Sequence, residues 1–130
     1  MKLNNKKIKY KNKNYAVIEL NYKDNILPIV IDYKFINNIN NLDKKWYCNK
    51  SGFISCKHNY NQKLHIVFLH ELIMSLKNKK NINQPIQHIN RISIDNRISN
   101  LKYVEDTNIN YKKKKRTVKL PKNSGINPDR

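Results

Sequence analysis

The chain has 130 residues, long enough for one hydrophobic core of modest size and too short for two. Its 27 lysines and arginines stand against 9 aspartates and glutamates, a formal net charge of +18 at pH 7, so it is drawn to polyanions and nucleic acid is the expected partner. A membrane surface is set aside because the basic segments lack the leucine and aromatic face of an interfacial helix, and 2 cysteines do not make a disulfide framework.

Residues 1 to 13 carry Lys2, Lys6, Lys7, Lys9, Lys11 and Lys13 with almost nothing to bury, and are expected to form a flexible basic arm. Short β-branched and aromatic runs follow, AVIEL at 16–20, ILPIVID at 26–32, KWYCN at 45–49 and GFISCKH at 52–58, and predict a small antiparallel sheet. Asn49 to Gly52 predicts a hairpin turn in which Gly52 takes a positive φ. Leu69, Leu72, Ile73 and Leu76 recur at helical spacing and predict an amphipathic helix from about Val67 to Lys77, closed by a polar run.

Residues 78 to 84 are expected to be loop, and Pro85 opens a short strand over Ile86 to Ile89. Leu101 to Glu105 predicts its partner, and Asp106 or Thr107 can cap a helix that runs to about Lys115. Strand, loop, strand and helix make a ββα unit. The fold class expected is therefore α+β: a single domain over 14–115, with sheet plus helix at 14–77 and the ββα unit at 85–115, flanked by the arm and by a basic tail at 116–130.

LHELIM (69–74), QHIN (87–90), DNRISNL (95–101) and the asparagines at 108 and 110 resemble, in order and spacing, the HNH (ββα-metal) endonucleases of the homing-endonuclease type. In that family a LHRLIM-like helix precedes a DHINGN…LDNR…NL…N pattern, and PIVIDYKF…KKWYCNKSGFIS also looks like the strands that precede the motif in versions carried by giant DNA viruses and phages. The resemblance covers about residues 26 to 115 and implies hydrolysis of DNA phosphodiester bonds with one divalent cation, Mg or Mn, with Zn as a further option. RNA is the other possible substrate, and no small-molecule cofactor is expected.

Phosphodiester hydrolysis needs a base that activates water, a cation that neutralises the leaving oxygen, and a group that holds the base in the right tautomer. On the family pattern the base is His88, Asn100 pins the hairpin and orients the histidine, and Arg97 forks onto a phosphate. The position before the base, where relatives place a carboxylate or histidine as first metal ligand, holds Gln87, a neutral and weaker ligand. The helical ligand position falls on Ile109, with Asn108 and Asn110 on either side as the candidate ligands, and Asp95, Glu105 and Asp106 are the nearby carboxylates that could compensate. Arg91, Lys102, Lys112, Lys113, Lys114, Lys115 and Arg116 are the residues expected to meet nucleic acid.

The alternative function is a degraded HNH scaffold that binds DNA or RNA without cutting it, as a packaging or ribonucleoprotein component; Gln87 and Ile109 favour it, and the intact HIN, DNR and NL elements favour the nuclease. His70 reads as a structural histidine behind the hairpin, and Trp46, Tyr47 and Phe53 as cross-strand and core residues. Cys48, Cys56, His58 and His65 lack the paired knuckle of a zinc site. The basic N-terminus leads into no apolar signal region, and the longest apolar runs are too short to span a bilayer. A soluble intracellular protein is expected, in host cytoplasm, viral factory or nucleus and not secreted; oligomeric state has no signal in the sequence.

Overall fold

In the computed structural model, which describes residues 5–42, 44–79 and 84–104, the chain opens with three antiparallel strands in the order β1-β2-β3: Asn5–Tyr10, Lys13–Tyr22 and Asn25–Asp32. Ala16, Ile18 and Leu20 of β2 stand opposite Ile31, Ile29 and Leu27 of β3, and since cross-strand partners share a face, these residues make one apolar layer of the core. The flexible arm expected over residues 1 to 13 is corrected by β1, which occupies Asn5–Tyr10 and pairs along its whole length with β2. Backbone hydrogen bonds hold this strand, so it needs no apolar side chains of its own, and its lysines suit an outer edge that must not pair with another chain.

Three two-residue turns join neighbouring strands at Lys11–Asn12, Lys23–Asp24 and Asn61–Gln62, each with φ positive at both residues (48° and 63°, 47° and 64°, 51° and 65°). Such turns match the right-handed twist of the strands, and the usual Asn-Gly or Asp-Gly signal is missing from all of them. After β3, a 3-10 turn at Tyr33–Phe35 leads into α1, Ile36–Leu42, which buries Ile36, Ile39 and Leu42. This helix was not expected, because INNINNL is poor in strong helix formers; its buried stripe holds it instead.

The second sheet, β4 (Trp46–Cys48), β5 (Ile54–Tyr60) and β6 (Lys63–Phe68), is also an antiparallel meander. Its first turn is the one expected: Asn49 Oδ1 accepts the N–H groups of Ser51 and Phe53, both at 2.9 Å, and Gly52 has φ +86°. α2 spans Leu69–Asn78, two residues later than its predicted start, because Val67 is a ladder partner of Cys56 and is fully buried in β6. Lys79 closes α2 in the left-handed conformation, its N–H returning to the Ser75 carbonyl.

β7 (Ile86–His88) and β8 (Leu101–Tyr103) pair antiparallel, His88 opposite Leu101 and Gln87 opposite Lys102. Leu101 joins the same cluster as Ala16, Trp46, Val67 and Leu72, so both sheets, α2 and the last hairpin share one core. The protein is thus mixed α+β, with mostly antiparallel strands and, among the described residues, two short helices. The helix expected after β8 and the basic tail lie outside the described residues. No helix among the described residues is long and apolar enough to cross a membrane.

Ile31, with no exposed surface, lies near the end of β3, next to Val30, whose backbone pairs with the segment that forms the site. Ile31→Ala should cost about 2–5 kcal/mol through lost burial and the cavity left behind. Urea titration should show a lower midpoint with an unchanged slope; an unaltered midpoint would mean that β3 does not carry the core.

Candidate functional site

The segment between β7 and β8 has no core of its own, so each of its backbone groups needs a partner. Asn100 supplies several. Its side-chain oxygen accepts the Asn90 N–H at 2.9 Å, its amide donates to Asn90 Oδ1 and to the Asp95 carbonyl at 2.8 Å each, and its own carbonyl accepts the Ile89 N–H at 2.8 Å. Asn100 is buried, and its bonds pin this loop.

Two other elements clamp the segment from outside. Along the free edge of β3, the Val30 N–H donates to the Ile94 carbonyl at 3.0 Å, the Val30 carbonyl accepts the Asn96 N–H at 2.8 Å, and Asp32 Oδ1 accepts the Ile98 N–H at 2.7 Å. From the β4–β5 turn, the Gly52 carbonyl accepts the Ser93 hydroxyl. A Cβ at Gly52 would stand 3.2 Å from Ser93 Oγ, and φ is positive there as well, so two independent demands call for glycine.

His88 ends β7 with its ring largely buried, stacked on Phe53 (centroids 5.9 Å apart, 27° between planes) and edge-on to His70 at 5.1 Å. Its Nε2 lies 2.9 Å from Asn96 Oδ1. The Asn96 amide nitrogen is committed as a donor to the Ser93 carbonyl at 3.2 Å, so the Asn96 oxygen faces the imidazole and Nε2 must carry the proton. Nδ1 is then the nitrogen that carries the lone pair, the form a general base requires. The residue that orients the histidine is therefore Asn96, while Asn100 acts on the loop. The sequence alone does not separate Asn96 from a turn former, because asparagine is common in this chain.

Arg97 does not present an open fork. Its Nε and Nη2 donate to the two Asp95 oxygens, both at 2.7 Å, and its guanidinium lies 5.6 Å from the Tyr15 ring centroid. Burial pushes the Asp95 carboxyl up, but the hydrogen bonds and charge of Arg97, with the Asn90 amide, outweigh it and hold the carboxyl below its ordinary value. The same pairing raises Arg97 above its usual range. Arg97 thus stiffens the loop on which His88 depends.

Gln87, His88, Arg91, Ser51, Phe53 and Ser93 contribute to the lining of a cavity of about 420 Å³. A hard divalent cation needs charged oxygen ligands. Here residue 87, where the resemblance led us to expect a first ligand, offers only a neutral amide, Arg91 brings a positive charge, and Asp95 is engaged by Arg97 and Asn90. Among the described residues there is no group of three or more His, Cys, Asp and Glu able to hold a metal ion. The described residues do not fit a divalent metal. Asn108, Asn110, Glu105 and Asp106 lie outside them.

Arg91 has φ +61°, a backbone conformation that costs a residue with a side chain about 1–2 kcal/mol. Lys102 is exposed on β8; Lys112, Lys113, Lys114, Lys115 and Arg116 fall outside the described residues. A second cavity, of about 590 Å³, is bordered by Lys13, Lys34 and Lys77 from three elements separated in sequence, together with Asn14 and Ser99. These lysines were missed as a group because nothing in their spacing connects them. His58 and His65 face each other across β5 and β6, while Cys56 is buried in the core with its thiol pushed up to about 12 by that burial, so the four zinc-like positions do not converge as ligands.

Compared with family models, with curated proteins and with solved structures, the chain matches none.

The Asp95–Arg97 pair has a pH signature. Because the folded carboxyl titrates lower than the unfolded one, its contribution to stability is present above the unfolded value of roughly 4 and is lost as pH falls through the folded value. Arg97→Met should lower the urea midpoint at pH 7, and the gap to wild type should narrow at pH 3. A gap of equal size at both pH values would show that the pair does not hold the loop by charge.

Proposed function

We propose that this chain is a nucleic-acid-binding protein of the HNH endonuclease type, in which His88 is the base that activates water against a phosphodiester bond. The observation that carries it is the tautomer of His88: Asn96 Oδ1 accepts the Nε2–H hydrogen bond, and the ring borders a cavity that Arg91 also lines. In that reaction the water oxygen attacks phosphorus, its proton passes to His88 Nδ1, and the leaving alkoxide takes a proton from solvent. The net charge of +18 and the lysine-bordered second cavity support a long phosphate-backbone contact.

Gln87 favours a second reading, in which the same surface binds nucleic acid and does not cut it. The two are separated by cleavage assays on duplex DNA with Mg²⁺ or Mn²⁺. His88→Ala should reduce cleavage by roughly 10²- to 10⁴-fold with binding nearly intact. Equal cleavage by the two proteins removes His88 as the base, and no cleavage by either favours the binding protein. If about six phosphates are neutralised, log K for duplex DNA should fall with log salt at a slope near −5, and a slope near zero would defeat both readings.

Gln87→Asp, tested beside Gln87→Glu to separate charge from reach, supplies the charge that the cavity lacks. Either variant should bind Mg²⁺ more tightly in calorimetry and raise cleavage. If neither changes, residue 87 does not face a cation.

A further inference from the structure

Among the described residues, seven of the eight non-glycine residues with positive φ have a local reason for it. Six form the three two-residue hairpin turns and Lys79 closes α2; Arg91 belongs to neither group. Its N–H returns to the His88 carbonyl at 3.0 Å, in a turn where glycine or asparagine would sit with less strain. The side chain at this strained position borders the His88 cavity, the same cavity whose described lining has one cation and no carboxylate.

We propose that this cavity is an anion site, which seats a phosphate group of a nucleic-acid strand on the Arg91 guanidinium beside His88 without a bound metal. A guanidinium takes two phosphate oxygens through parallel N–H bonds, which a lysine cannot reproduce. The Ser51 hydroxyl and the Gln87 amide stand beside it in the lining as neutral groups able to donate to an oxyanion, while the Ser93 hydroxyl is committed to the Gly52 carbonyl. In the absence of a cation Gln87 suits the site better than a carboxylate, which would repel the phosphate unless Mg²⁺ were bound to neutralise it. The strain at Arg91 is the consequence of placing a guanidinium where the turn geometry favours a residue without a Cβ.

This inference rests on the nucleic-acid reading for the identity of its ligand, and the experiment separates the two. The full chain is titrated with a labelled duplex and, separately, with inorganic phosphate, in EDTA and in Mg²⁺, as wild type, Arg91→Gly, Arg91→Gln and Arg91→Lys. Wild-type affinity for duplex should be the same in EDTA and Mg²⁺; Arg91→Gly and Arg91→Gln should each lose tenfold or more, and Arg91→Lys should recover only part of it. Arg91→Gly, which relieves the backbone, should also melt a few degrees higher than Arg91→Gln, which removes the same charge and keeps the strain. Affinity for duplex that disappears in EDTA, or that is unchanged by Arg91→Gly, overturns the proposal. A wild type that takes up inorganic phosphate in an Arg91-dependent way and ignores duplex keeps the anion site and removes the nucleic-acid reading.

Discussion

The site depends on one buried amide. Asn100 closes the segment between β7 and β8 by meeting Asn90 through both backbone and side chain and by capturing the Asp95 carbonyl. A loop of this length with few apolar anchors would otherwise leave polar backbone groups half-buried and unmatched, at a cost of about 1–3 kcal/mol for each. Because the same bonds set the path of residues 90–95, they also determine where Ser93, Asp95 and Asn96 stand. His88 takes its orientation from Asn96, and so indirectly from Asn100.

That closure works only against a rigid surface, and the first sheet supplies it. β3 has a free edge because β1 and β2 lie on its other side, and residues 94–96 use that edge as a short added strand. Asp32, just beyond, holds the next turn through the Ile98 N–H. The second sheet contributes from the opposite side through Gly52 and through Phe53, whose ring stacks on His88. The imidazole therefore sits at a junction of three elements from three separate parts of the chain, and movement of either sheet would shift it.

The two loop arginines do different work. Arg97 is turned inward to Asp95 and Tyr15, where its fork satisfies a carboxylate that holds the loop. Arg91 is exposed, stands in a left-handed turn and borders the cavity. Their sequence context looks similar; their neighbours turn one into the loop and leave the other lining the cavity. Most of the described lysines lie on strands and turns at the surface, where they discourage edge pairing and provide a long-range positive field.

Much of this could be read from the amino-acid order. The apolar alternation in β2 and β3, the turn at Asn49 to Gly52, α2 and the β7–β8 pairing are local patterns, and local patterns survive in one dimension. His88 and Asn100 were singled out by the resemblance to a family pattern, and they stand at the two ends of the segment between β7 and β8. β1 and α1 were illegible, since one is held by backbone bonds to a neighbour and the other by burial under a weak helical sequence. The roles of Asn96, Arg97 and Arg91 were decided only by tertiary structure. Each depends on which groups approach from elsewhere in the chain or on a single backbone angle, and a side chain's identity does not carry either quantity.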